Sequence, residues 1–555
     1  MRAQERREQA LVELQARRFD LCVIGGGATG SGCALDAQTR GLNTVLLEGN
    51  DFASATSSAS TKLVHGGVRY LQKAIAELDM GQYHVVRRAL KERACMIANA
   101  PYLARPIEIA IPCHRWIDLI YYMTGLKIYD LLAGKHKLFP CQVLSARRLI
   151  EALPAVDTKQ LIGGMAFADG QFDDARYNLA LIETFVEAGG TALNYAKVVS
   201  FEKSFEKKLV AAICQDQLTG RRFQIEARCF INATGPHADE LRTAASSNAP
   251  SRLEVSRGTH IVLPQRFFPS DTALLVPKTQ DDRIIFIIPW SNHVLVGTTD
   301  DESALQDDLL PKASEIDYLL HYFNRYVTTS ATRADVLSAF VGLRPLVKKK
   351  AKTSSKDIIR DHEIEIDEQS GLISVLGGKW TTYRAMAEHA VNAVQASLHL
   401  PRSSCLTYNL KLAGAEEPTS DYWQTLMARF RVSELTSKHL VDKFGARAEK
   451  VLELGNLDTS LLQPLLDDYP FLHAEVVYAI RHEMALSIDD VLARRIGVEF
   501  VDLRAASRAA ATVAKRLGCE LDWPEGEEYR AVETYREKIE TRLRCVDSAL
   551  QVAGQ

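Results

Sequence analysis

The 555-residue chain contains no run of eighteen apolar residues, which excludes a membrane-spanning helix of ordinary length. Its ten cysteines form no Cys-x-x-Cys pair, which excludes a zinc ribbon and a thioredoxin-type redox motif. Ten thiols over this length are too sparse for a disulfide scaffold, so buried free thiols in a reducing compartment are expected. Net charge is nearly absent. Sixty-seven Lys and Arg against 70 Asp and Glu leave −3, and no overall field gathers a polyanion. A nucleic-acid partner is therefore not expected. There is no D-x-[DN]-x-[DN]-G calcium loop, internal repeat or low-complexity tract, and no metal site is expected. The first eighteen residues lack the apolar core of a secretory signal, and Glu5, Glu8 and Glu13 argue against a transit peptide. A short charged helix and a cytoplasmic location follow as expectations.

What is present is a globular composition, 46% apolar and 25% charged. At about 100 to 200 residues per domain, the length fits two to four domains. The apolar run 19–24 (FDLCVI) reads as a buried parallel strand. It meets Gly25, Gly27 and Gly30 in G-G-G-A-T-G, which opens a helix running to about residue 40. A second strand, 44–47, ends at Glu48. Glycines at this spacing let a pyrophosphate approach the backbone at a helix N-terminus, and the acid suits an adenosine ribose. A second cue is Ala233-Thr234-Gly235 after an apolar strand. Strands are expected at 107–111, 260–263, 284–288 and 294–296, and a hairpin about Thr219-Gly220. From about residue 415 the pattern becomes helical.

The segment 51–71 (DFASATSSASTKLVHGGVRYL) resembles the FAD-dependent, quinone-linked glycerol-3-phosphate dehydrogenases. Further blocks follow in order: DGQFDDAR (169–176), INATGP (231–236), RGTHIVLP (257–264), IIPW (287–290), VGTTD (296–300), GLRPLV (342–347) and GGKWTTYRAMAEHA (377–390). The likeness is dense over about 18–400 and weaker through RHEMALSIDDVLARR (481–495). The missing calcium loops align it with bacterial forms rather than animal mitochondrial ones.

The resemblance implies an α/β plus α+β fold. A Rossmann-like FAD-binding domain of the glutathione-reductase/D-amino-acid-oxidase type would occupy about 18–105, 160–250 and 340–400. An antiparallel-sheet substrate domain (about 106–159 and 251–339) would be inserted in it, and a helical domain would cover 401–555. It further implies that FAD is held by Gly25, Gly27, Gly30, Glu48, Thr56, Ser57, Ser58, Lys62, His65, Gly66, Ala233, Gly235, Gly342, Gly377, Gly378, Lys379, Trp380 and Thr381. The substrate, sn-glycerol 3-phosphate, would meet Arg69, Tyr70, His260, Arg344, Arg360 and Lys379. Arginine suits such a dianion because its planar fork matches phosphate oxygens. Hydride would leave C2 for the flavin while a base takes the hydroxyl proton. His260 has the ordinary pKa for that base, and Lys379 serves if its pKa is depressed. The residues do not decide between them. Arg344 suits the developing alkoxide.

Ubiquinone or menaquinone is the acceptor implied by the resemblance, which places the enzyme on the cytoplasmic face of the inner membrane as a peripheral protein. The aromatic-rich stretch 116–132 (WIDLIYYMTGLKIYDLL) reads either as a core or homodimer-contact helix or as the membrane contact. The basic stretch 348–356 reads as a solvated loop, with lipid attraction as its alternative. Competing functions are a glycerol-3-phosphate oxidase using oxygen, an FAD amine or amino-acid oxidase, and a non-catalytic flavin-binding module. The charge-dense stretch 481–495 reads as an ion-pair face or an interdomain network.

Overall fold

The computed structural model describes residues 3–67, 80–277, 279–281, 283–305, 309–348, 362–416 and 421–547. The chain opens with helix α1 (Ala3–Ala16), strand β1 (Arg18–Ile24), helix α2 (Ala28–Thr39) and strand β2 (Thr44–Leu47). The last four residues of β1 and all of β2 are buried. They show no alternation because helices cover both faces of a parallel sheet.

β1 pairs in parallel with β2 on one side and with the strand Arg222–Asn232 on the other. Arg222–Asn232 in turn pairs in parallel with Ile373–Gly377. These strands form the centre of an eight-stranded sheet. The expected hairpin is there, with Leu209–Asp216 antiparallel to Arg222–Asn232. Parallel pairing has one consequence for function. Gly25, Glu48, Ala233 and Gly378 each follow the C-terminal end of one of these four strands. Four signals scattered over more than 300 positions therefore meet along one sheet edge, where open α/β sheets bind ligands.

A second, ten-stranded sheet is largely antiparallel. Its strand Leu253–Pro264 lies between Ser338–Val347 and His293–Gly297. Helices α3 (Met80–Asn99) and α4 (Trp116–Ala133) pack beside it. Beyond residue 421 the described chain is helical, with Leu503–Leu521 packed on Glu527–Asp547 around an Ala- and Leu-rich core. The fold is thus a Rossmann-like layer, an antiparallel sheet and a C-terminal helical domain.

Candidate active site

The first glycine turn is built by close approach. A Cβ on Gly30 would lie 1.7 Å from the carbonyl oxygen of Gly25, and one on Gly25 would lie 2.6 Å from that of Ala233. Gly27 meets Ser57, whose Oγ accepts from the Ala28 N–H at 3.0 Å. Gly27, at the N-cap of α2, has no side chain to cap the helix, which starts with a positive dipole end. Glu48 accepts from the Gly26 N–H at 2.6 Å and the Asn50 N–H at 2.8 Å. Burial raises the Glu48 carboxyl, while those two N–H groups hold it down.

The Ser/Thr-rich loop closes over this turn. Thr56 Oγ1 donates to the Leu343 carbonyl at 2.9 Å, and Gly342 abuts the Ala59 carbonyl, where a Cβ would come within 2.3 Å. Trp380 Nε1 donates to the Ser57 carbonyl at 2.9 Å, and the His65 N–H donates to Thr381 Oγ1 at 3.3 Å. Gly377 and Gly378 adopt positive φ, +70° and +91°, which turns the chain from the sheet edge into Lys379 and the short turn Trp380–Thr382. Gly235 has φ +56° with open space beside it. These positions meet at one sheet edge with small residues, a helix start and a half-buried acid. A dinucleotide fits these features.

Lys62 is buried beside Ser58 of the same loop. Its ammonium pairs with Asp174 at 2.5 Å, donates to the Ser58 carbonyl at 2.7 Å, and lies over the Trp290, Phe340 and Phe500 rings. Gly66 likewise turns inward. Its N–H donates to the Tyr129 hydroxyl at 2.8 Å, which donates to Asp169, itself paired with Arg93.

His260 projects from the centre of Leu253–Pro264 with its ring stacked on Phe340, 4.9 Å between centroids. A Cβ at Gly297, directly across the ladder, would strike the imidazole at 2.1 Å, so glycine makes the room it occupies. His260 Nε2 shares a hydrogen bond with Thr61 Oγ1 at 2.9 Å. Its Nδ1 is buried and has no hydrogen-bond partner among the described residues. Two residues back on the same face, Gly258 leaves space for the Arg344 guanidinium, which donates to Thr298 Oγ1 at 3.2 Å and the Asp300 carboxylate at 3.4 Å. Burial first, then Arg344 and Lys62, press the His260 pKa well below the usual imidazole value.

The fold therefore gathers His260 and Arg344 on one sheet face, beside the loop that carries Thr61. Lys379 is half-buried at the cradle next to Trp380. Arg69, Tyr70, Arg360 and 349–356 lie outside the described residues. Two participants were not expected from the sequence. Thr61 orients the histidine, and its only signal was membership of the Ser/Thr-rich run. Asp51, three residues after Glu48, is the other. It accepts from Arg494 Nε at 2.5 Å and from Arg495 Nη2 at 2.9 Å, with Asn194 adding 3.2 Å. Arg494 also binds Asp490, to which Tyr195 donates at 2.6 Å. The charged stretch in the tail is thus an interdomain clamp.

Asp51 and Arg495 are each about 1% exposed, so breaking the pair leaves a charge without water. We expect Asp51→Ala to cost about 3 to 5 kcal/mol in chemical unfolding. Removing Asp118 from its exposed pair with Arg115 should cost about 1 kcal/mol or less. Burial alone would raise the Asp51 carboxyl, but Arg495 and Arg494 outweigh it and hold the pKa below 3.8. The clamp's contribution is therefore full above that value and is lost as pH falls below it.

The model of the FAD dependent oxidoreductase family matches residues 20–392, and that of the C-terminal domain of alpha-glycerophosphate oxidase matches 405–528. The mitochondrial glycerol-3-phosphate dehydrogenase of Mesocricetus auratus is 40% identical over 541 residues, 95% of this chain and 74% of that protein. The mitochondrial glycerol-3-phosphate dehydrogenase of Arabidopsis thaliana is 39% identical, covering 96% and 88%. Among solved structures, a glycerol-3-phosphate dehydrogenase from Bacillus halodurans complexed with FAD superimposes with a TM-score of 0.79 at 30% identity, over 99% of both chains.

Proposed function

Since the chain belongs to the FAD-dependent glycerol-3-phosphate dehydrogenase family and takes FAD as its cofactor, we propose that it oxidises the C2 hydroxyl of sn-glycerol 3-phosphate, yielding dihydroxyacetone phosphate, and delivers the electrons to a membrane quinone, ubiquinone or menaquinone. The observation that carries this reading is the neutral, cation-flanked His260 on the sheet beside the glycine cradle. The chemistry FAD supplies when bound is that of a two-electron, hydride-accepting ring.

The chain's own part is to bind, orient and move one proton. Arg344, with Lys379 and the arginines expected from the sequence, supplies donors for a phosphate dianion or a developing alkoxide. His260 accepts the hydroxyl proton. With burial, Arg344 and Lys62 depressing its pKa, the ring is neutral above pH 6.5 and free to accept. A bound dianion offsets those cations, so the substrate itself raises the basicity of the ring it needs. Holding the alcohol in register contributes through orientation. Electron delivery to a quinone requires contact with a bilayer; among the described residues no helix is long and apolar enough to cross one, and the apolar outward side of α4 supplies the contact.

Anaerobic addition of glycerol 3-phosphate to the yellow protein should bleach the flavin. Retention of full colour would refute the substrate. An oxygen-electrode trace with and without a quinone analogue separates quinone-linked turnover from an oxidase, which would make peroxide without the analogue.

A further inference from the structure

The sheet face that carries His260 and Arg344 is backed by the helical domain. The short helix Val498–Val501 and the turn into Leu503–Leu521 dock on the start of the strand Ser338–Val347, which carries Arg344. The docking bonds are consecutive. The Leu503 N–H donates to the Leu337 carbonyl at 3.1 Å, Ser338 Oγ donates to the Glu499 carbonyl at 3.0 Å, and Arg542 Nη2 donates to the Ala339 carbonyl at 3.1 Å. Glu499 is itself held, accepting from Tyr535 at 2.9 Å and from Lys538 at 3.0 Å. Three successive residues are thus fixed from the tail side, and the next in the chain is Phe340.

Phe340 lies directly across the antiparallel ladder from His260, and the two rings stack at 14°. Gly297 flanks the histidine on its other side and has no side chain to steady it. Lateral hold on the imidazole therefore falls to Phe340 and to the Thr61 hydroxyl. Phe340 is in turn held by Phe500 of the helical domain, which meets it edge-to-face at 5.0 Å and 88°. Phe500 also faces the Lys62 ammonium, 4.8 Å from its ring centre, and with Trp290 and Phe340 it surrounds that cation with three rings. One half-buried ring of the tail thus touches two groups that bear on the imidazole: the ring it stacks on and one of the cations that depress its pKa.

A plain contact between domains needs only an apolar side chain of this size. The observed contacts call for a ring, because Phe340 takes an edge-to-face partner and the ammonium a π face. We propose that Phe500 is a positioning residue for oxidation of the substrate alcohol: it braces Phe340, and through Phe340 the imidazole of His260, so that the helical domain sets the geometry of the proton-accepting group. This rests on the reading of His260 as the base and extends the site into the tail.

The test is the anaerobic rate at which glycerol 3-phosphate reduces the flavin of the holoenzyme. In Phe500→Leu the limiting rate should fall by about 10- to 100-fold, the scale of a small misplacement of a reacting group. FAD content and the half-saturating substrate concentration should stay at parental values. Phe500→Tyr, which keeps the ring, should stay near the parental rate. In a Phe340→Leu background the loss caused by Phe500→Leu should disappear, because the two rings act in series. Leu517→Ala controls for a loosened helical domain. It opens that domain's core about 20 Å along the helix from Leu503, so it should lower the melting temperature and keep the rate. Three outcomes overturn the brace: a parental rate in Phe500→Leu, a loss that Leu517→Ala or Phe500→Tyr reproduces, or an equal loss with and without Phe340. A parent that glycerol 3-phosphate fails to bleach overturns the functional reading and the brace with it, whereas a bleached parent beside any of those three overturns the brace alone.

Discussion

Gly30→Val protein should purify colourless, with its FAD-to-protein absorbance ratio near zero. A Cβ at this position lies 1.7 Å from the Gly25 carbonyl oxygen and 2.9 Å from its carbon. Both atoms are backbone in the turn that a pyrophosphate must approach, so no rotamer relieves the clash. The turn itself is held on its far side, because Gly25 is at φ +109° against Ala233. Relief therefore means displacing the whole turn from the sheet edge. Gly41→Ala is the matched control. Gly41 also has positive φ, +87°, but nothing lies within 4 Å of an added Cβ. That variant should lose about 1 kcal/mol of stability from strain and keep its cofactor. A yellow Gly30→Val protein with parental stoichiometry would mean that the dinucleotide is not on this turn.

His260→Gln should separate binding from chemistry. The side chain contacts Thr61 and Phe340 rather than the glycine turn, so FAD content should match the parent. The rate at which glycerol 3-phosphate bleaches the flavin should fall by about 10² to 10⁴, the usual range for a lost general base. Lys379→Met run beside it distinguishes the two candidate bases. If both variants are reduced at the parental rate, neither residue is the base. A pH effect accompanies the histidine variant. A folded-state pKa far below 6.5 means that the unfolded chain binds the extra proton first as pH falls. Parental stability from this group is therefore present above pH 6.5 and lost below it, at about 1.4 kcal/mol per pH unit. His260→Gln should show a flatter stability profile between pH 7 and 5.5.

What could be read in the sequence was local or repeated as a block. Gly25, Gly27, Gly30 and Glu48 lie in one strand–turn–helix–strand unit, where periodicity and spacing suffice. His260 and Arg344 emerged from blocks of familiar order, and the antiparallel ladder then explained why they share a face. Three things were illegible for definite reasons. Asp51 depends on Arg494 and Arg495, and no local pattern connects positions so far apart. The Lys62 ammonium is committed to Asp174, another partner distant in the sequence. The outward apolar stripe of α4 had the same residues a core helix would have, and only burial tells the two apart.

The clamp on Asp51 also orders events at the ribosome. At roughly 5 to 20 residues per second, the arginines that neutralise Asp51 emerge on the order of 20 to 90 s after it does. β1 must likewise wait for its partner strand Arg222–Asn232, and that strand for Ile373–Gly377. A nascent chain shorter than about 380 residues lacks one wall of the cleft along that sheet edge. Cofactor loading thus belongs to the end of synthesis. Truncations that remove the helical tail should leave Asp51 without its arginines, although every glycine of the turn and every strand along that sheet edge is intact.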